Sequence, residues 1–365
     1  MRFTRCLAAI EHFRVSSKCG NALSFWLGAI PDAKPLRTFA GIALTLLLAS
    51  SAAVSAFAGE TAVMTSRVIS AFKVGSPETR FGALEFVGGL ELSSTTSLFG
   101  AVSSIRFRPD GRNFIAVLDT GHWMTGTVER DAEGRLSDMS DLTITSMIDK
   151  DGQDETVKWN MDAEGMTIRG DDILVSFERR HRIDIYPLSG FETSGPKKSI
   201  PFLIPKNELR ANGGFEMIAA SPAESPLMGS TVIIAEKSVD KKGNLFAAVV
   251  DGPAKGLFSV RRHDSFDVTD GAFLPNGDLL ILERRFNWAT GIAMRIRRLK
   301  GADIVPGAVV DGDILITADF NYQIDNMEGL DVITGEDGAT HIILTSDDNH
   351  SILQRNVMLE FRLVE

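Results

Sequence analysis

The feature that most constrains this chain is a strand-like unit that recurs with an acid at each end. Glu164-Gly165 opens one copy that closes on Phe177-Glu178, and Gly214-Phe215-Glu216 opens another that closes on Ala235-Glu236. Asp270-Gly271 pairs in the same way with Leu282-Glu283, and Glu328-Gly329 with Asp347-Asp348. A fifth copy runs from Ser103-Ser104 to Leu118-Asp119 without the opening acid. The opening acids lie 52, 54 and 58 residues apart, close to the period of a propeller blade.

Each copy contains a short β-branched and apolar run, such as Ile173-Leu174-Val175 or Leu279-Leu280-Ile281-Leu282. Turns rich in Gly, Asn and Asp precede these runs, among them Pro109-Asp110-Gly111 and Asn276-Gly277-Asp278, and they supply the positive φ that tight hairpins need. Helical periodicity is nearly absent. The expectation is an all-β, six-bladed β-propeller of four-stranded antiparallel blades, with five or seven blades as alternatives. Five hairpins form the inner pairs. Residues 68–74 and 80–93 then join residues 357–364 in a sixth sheet, which closes the ring and removes its open edges.

The first 58 residues read as a leader. Lys34 and Arg37 precede the apolar run Phe39 to Phe57, and Ala56-Phe57-Ala58 is a small-x-small end, so cleavage is expected after Ala58. A retained run is long enough to anchor the chain in a bilayer. Residues 59–365 form the expected single domain, periplasmic or secreted. They hold 32 Lys/Arg against 46 Asp/Glu, a formal charge of −14, which disfavours nucleic acid and anionic lipid as partners. Any membrane contact is expected through the N-terminal segment alone. Both cysteines, Cys6 and Cys19, fall in the leader, so the domain has no disulfide and no thiolate chemistry. A monomer is expected.

In a propeller the inner strand and its hairpin partner share one channel mouth. That geometry gathers Asp119, Glu164, Glu178, Glu216, Glu236, Asp270, Glu283, Glu328, Asp347 and Asp348 at one rim. Basic residues trail most closing acids: His122, Arg179, Lys237, Arg284 and His350. Two readings are open. The alternation ties blades together by salt bridges, or the carboxylates hold a hard cation such as calcium, which takes oxygen ligands, beside a bound anion. Trp159 and Trp288 are expected near the same mouth, where packing between blades is the favoured role and an aromatic wall the alternative.

A serine-hydrolase elbow, a phosphate-binding Gly-rich loop, a dinucleotide fingerprint and a zinc-protease helix are all missing from the sequence. Zinc is disfavoured because no two histidines of the domain lie close together. Gly88-Gly89-Leu90-Glu91-Leu92, Phe99 to Asp119 with Gly121-His122-Trp123, and Asp162-Ala163-Glu164-Gly165 resemble segments of a known family. So do Asn212-Gly213-Gly214-Phe215-Glu216 and Asn326-Met327-Glu328-Gly329-Leu330. Together they are similar to the phytase-like propeller proteins described as having esterase-like activity of phytase.

The resemblance implies a secreted propeller with acidic, calcium-linked sites at one mouth and hydrolysis of phosphate or carboxylic esters. On that expectation Glu164, Glu216, Asp270 and Glu328, with Asp119 and Asp347, hold Ca2+. Arg179, Lys237, Arg284 and His122 bind a small anionic ester, and Glu178 or Glu283 takes a proton from water. The alternatives are a non-catalytic ligand- or protein-binding propeller and a lactonase-like calcium propeller.

Overall fold

The computed structural model describes residues 59–154 and 160–364; the expected leader and Trp159 lie outside these residues. The described residues make one compact unit. Among the described residues the helical segments are two short 3-10 turns, Phe191–Thr193 and Gly301–Asp303.

Five sheets, each built on one of the repeated hairpins, form the blades of a β-propeller. They hold four to six strands rather than four throughout, and are antiparallel except where Val309–Val310 runs parallel to Gly256–Val260. The inner strands are Val102–Phe107, Ala163–Arg169, Phe215–Ala220, Asp267–Phe273 and Asn326–Thr334 for blades 1 to 5. Their hairpin partners are Asn113–Leu118, Asp172–Phe177, Thr231–Val239, Leu279–Asn287 and Thr340–Asp347. Each inner strand packs on two others in the order 1, 2, 3, 4, 5 and back to 1, so the ring is closed.

The blade count corrects the six expected. The terminal strands do pair with one another, but they are the outer strands of blade 5. Asn356–Leu363 pairs with Thr340–Asp347, Leu84–Ser94 pairs with Asn356–Leu363, and Met64–Ile69 pairs with Leu84–Ser94. The number of strands downstream of each hairpin is the reason. Blades 1 to 4 take their third and fourth strands from the chain just downstream, whereas only one strand remains after the last hairpin. Its open edge is covered by the N-terminal strand, which joins the two ends of the chain in one sheet.

Five apolar clusters fill the five gaps between blades. Each second strand is buried on both faces, so it reads as a continuous apolar run. In blade 2, Ile173, Val175 and Phe177 face blade 1, while Leu174 joins the cluster shared with Phe215 and Ile218 of blade 3. Burying one such side chain fully stabilises the fold by about 1.5–3 kcal/mol.

Candidate active site at the acidic mouth

Near its start every inner strand carries a β-bulge, where one residue is skipped in the pairing with its hairpin partner. The skipped residues are Ser103, Glu164, Glu216, Thr269 and Glu328. A bulge leaves one residue unpaired and re-aims its side chain. Three glutamates from blades 2, 3 and 5 are therefore directed to one end of the channel. Gly165, just after a bulge, lets the inner strands of blades 2 and 3 approach closely. A Cβ on it would overlap the Glu216 carbonyl oxygen.

The three glutamates feel one another and the strand-end acids around them. Burial pushes Glu164 well above the usual carboxylate range, and the charges of Asp162, Glu178, Asp119 and Glu328 push it further. Burial does the same to Glu216, with Glu236, Glu164 and Glu328 adding to it and Arg284 opposing. Glu328 is raised to about 8, by burial first and by Asp347 and Glu236, against the pull of Arg284. Asp347 rises to about 6 through burial and its neighbours Asp119 and Asp348. The site is one connected set of Asp119, Asp162, Glu164, Glu178, Glu216, Glu236, Glu328, Asp347 and Asp348.

Three cations stand among these acids. Arg284 Nη1 lies 2.7 Å from Glu328 Oε1 and its Nη2 3.4 Å from Glu236 Oε1. Burial works against its charge, but Glu328, Glu216 and Glu236 outweigh it and raise its pKa. Lys237 pairs with Glu236, and Arg179 donates from Nε to Asp162. Both keep about a third of their side-chain surface open. Like charges about 4 Å apart repel by about 4 kcal/mol at an effective dielectric near 20. Three cations do not balance nine carboxylates.

Glu178 is buried where blade 2 meets the turn before the inner strand of blade 3. Its Oε1 accepts the N–H groups of Gly213 and Gly214, the latter at 2.7 Å. Burial raises its pKa in spite of those donors. One carboxylate oxygen from each of Asp162, Glu164 and Glu178 lies within 4.8 Å of the other two. Glu236 Oε2 is buried with no hydrogen-bond partner. The donors are oxygens throughout, and both observations suit a hard cation such as calcium.

The expected residues divide. Asp119, Glu164, Glu178, Glu216, Glu328 and Asp347 come together, with Arg179, Lys237 and Arg284 among them. His122 is buried beside Asp119 in the chain, its Nδ1 3.0 Å from Thr120 Oγ1, and burial lowers its pKa.

Asp270 does not join them. Thr269 occupies the bulge of blade 4, so Asp270 sits one residue further down the channel. There Oδ1 and Oδ2 take Arg106 Nη2 at 2.8 Å and Nη1 at 2.9 Å, Ser104 Oγ at 3.0 Å and the Leu330 N–H at 3.0 Å. With Gly271 N–H also donating, the carboxylate is saturated. Glu283 is fully buried and clamped by Arg295 and Arg297, whose guanidiniums continue to Asp264 and Asp311. It is placed to hold strands rather than to take a proton.

Trp288 does not pack between blades. It stands 94% exposed on the hairpin of blade 4, edge-on to Phe286 at 5.2 Å.

Two participants escaped the sequence reading. Asp162 precedes the bulged Glu164 by two residues, as Asn326 precedes Glu328, and Asn326 Nδ2 donates to Glu328 Oε1 at 2.9 Å. A polar residue two positions before an opening glutamate was the available signal. Arg106 had none, since its role depends on reaching carbonyl oxygens of Ile218, Gly271 and Leu330 across the channel.

A family model described as "Phytase-like: Esterase-like activity of phytase" matches residues 97–350. No curated protein sequence matches the chain. Among solved structures, an endo-arabinase from Bacteroides thetaiotaomicron is similar at 8% identity and a TM-score of 0.45, covering 74% of this chain and 95% of its own. A putative oxidoreductase (glucose dehydrogenase) from Thermus thermophilus is similar at 13% identity and a TM-score of 0.33, covering 81% and 100%. At those scores neither likeness carries weight for function.

Proposed function

The chain belongs to the phytase-like family with esterase-like activity of phytase, and we propose that its acidic mouth is a calcium-dependent hydrolytic site for small anionic esters, phosphate esters first. The observation that carries this reading is the group of Asp162, Glu164 and Glu178, with one oxygen from each within 4.8 Å of the others. Glu216, Glu328, Asp119 and Asp347 surround that group and complete an oxygen-only donor set.

Asp162 and Glu164, with Glu216 and Glu328, would hold calcium, whose charge would offset their repulsion and polarise an ester, leaving Glu178 beside it as a base. Arg179 and Lys237, each about a third exposed, would orient the anionic group of the substrate. Arg284 stays charged between Glu328 and Glu236 and keeps Glu328 in place. Glu178 is the proposed general base: its Oε1 is fixed by two backbone N–H groups, and its raised pKa moves it towards the range where a proton is taken and returned. We also propose that the protein is exported, on the strength of the apolar run 39–57 and a domain without cysteine.

Calcium titration by calorimetry and hydrolysis of p-nitrophenyl phosphate, each for the parent protein and Glu164→Gln, test the reading. Calcium is expected to bind and to raise the melting temperature. Chelation is expected to abolish turnover, and Glu164→Gln to weaken calcium binding at least tenfold. Because Glu164 sits well above the usual carboxylate range, the amide resembles its protonated form and metal-free stability is retained. A melting temperature and an activity both indifferent to chelation refute the proposal.

A non-catalytic binding role is the second reading, favoured by one observation: each mouth cation is already paired with a carboxylate. Calcium-dependent binding of inorganic phosphate with no turnover of phosphate esters, carboxylic esters or lactones would select it.

A further inference from the structure

The far end of the channel differs from the acidic mouth in carrying an apolar recess. Arg106 lies between them, joined to Asp270 and to carbonyl oxygens of blades 3, 4 and 5. Beyond it, where the inner strands of blades 5, 1 and 2 end, a cavity of about 430 Å³ opens. Phe107, Ile168, Leu188, Val332 and Ile333 line it, and Arg108 stands at its edge. Its volume lies in the range of small-molecule sites, which combine apolar walls with a few convergent polar groups.

Arg108 is unlike the other arginines of that end. Arg112 pairs with Glu129, Arg130 with Glu360 and Arg169 with Asp251. Among the described residues the Arg108 guanidinium makes no hydrogen bond and no ion pair. Asp110 feels its charge, but that carboxylate accepts from Arg112 N–H and from Asn113 instead. Arg108 also borders a second cavity of about 570 Å³, shared with Leu188, where Asp171, Glu192 and Lys197 line the wall and Lys197 is paired with Asp172. Asp331 lies behind the apolar walls, next in the chain to Val332. Its Oδ2 accepts the Phe107 N–H at 2.7 Å, and Arg106 lies close enough to stabilise its charge. A cation without a bonded partner beside an apolar recess leaves both groups to be matched by one molecule.

We propose that this cavity binds a small amphiphilic anion, with its carboxylate, sulfonate or phosphate head on Arg108 and its apolar body among Phe107, Ile168, Leu188, Val332 and Ile333. Charge complementarity selects the head, since the guanidinium offers a planar pair of donors suited to such oxygens. The cavity stands apart from the mouth carboxylates, so its occupancy does not depend on the hydrolytic reading.

The test uses the full chain, without calcium, in low salt. 8-Anilinonaphthalene-1-sulfonate is titrated by fluorescence, with decanoate and then decanol as competitors. Expected are saturable binding, displacement by decanoate at lower concentration than by decanol, and at least tenfold weaker binding in Arg108→Glu. Leu188→Asp is expected to weaken binding while Glu164→Gln leaves it unchanged. Arg108→Gln, with its melting temperature measured alongside, serves if the charge reversal disturbs folding. Absence of saturable binding, or equal affinity in the parent and the folded Arg108 variant, overturns the proposal.

Discussion

Arg106→Met removes the central tie of the channel, and its consequence can be worked from the contacts. The guanidinium makes two hydrogen bonds to Asp270 and others to carbonyl oxygens of Ile218, Gly271 and Leu330, on the inner strands of blades 3, 4 and 5. Its loss strands a fully buried carboxylate. Breaking a buried pair from one side costs about 3–5 kcal/mol. Unfolding roughly 300 residues carries about 0.6 kcal/mol/K of entropy, so the melting temperature should fall by about 5–8 °C.

The pH dependence of this variant has a defined sign. Without Arg106, burial raises the folded pKa of Asp270 further above its unfolded value. The folded state then binds more protons than the unfolded one, and stability rises as the pH is lowered. Arg106→Met/Asp270→Asn should recover part of the loss, because no unpaired charge remains to be buried. Calorimetric melting of the parent, both single variants and the double variant between pH 5 and 8 measures each quantity. A cost below about 1 kcal/mol for Arg106→Met, or a double variant no more stable than Arg106→Met, refutes the reasoning.

Three further outcomes rest on the same physics. In metal-free protein, Glu328 and Asp347 have folded pKa values of about 8 and about 6, above their unfolded values, so stability should fall as pH rises from about 4 to 8 and then level. Saturating calcium should flatten that slope in thermal melts if the mouth holds the ion. Gly165→Ala places a methyl group on the Glu216 carbonyl oxygen and should cost at least about 2 kcal/mol by denaturant titration. His341 lies between Glu360, at 2.6 Å, and Asp337, with Arg130 and Arg362 paired to the same two acids. Burial opposes its charge, but the two acids raise its pKa. Its contribution should be complete below about pH 6.5 and lost as pH rises through the raised value, a dependence that NMR titration detects and His341→Gln removes.

Much of the architecture was legible because blade packing imposes itself on every repeat. Second strands buried on both faces must be short continuous apolar runs, and Ile173-Leu174-Val175 could be read as such without coordinates. The blade number was not legible in the same way. Residues 80–93 and 357–364 read as strands in the sequence, yet only the unfilled edge of Thr340–Asp347 decides that they complete a fifth blade rather than build a sixth. At the site, periodic acids announced a rim, but the spacing treated Asp270 as equivalent to Glu164, Glu216 and Glu328.

The sequence by itself determined that this protein repeats a hairpin with acidic ends, and strand geometry alone carries most of those acids to one mouth. Only the tertiary structure decided which of them share the recess. A bulge displaced by one residue sends Thr269 to the rim and Asp270 down to Arg106, while two arginines on a neighbouring strand withdraw Glu283. Such choices depend on one-residue registers and on partners far away in the chain, and a local spacing cannot encode either.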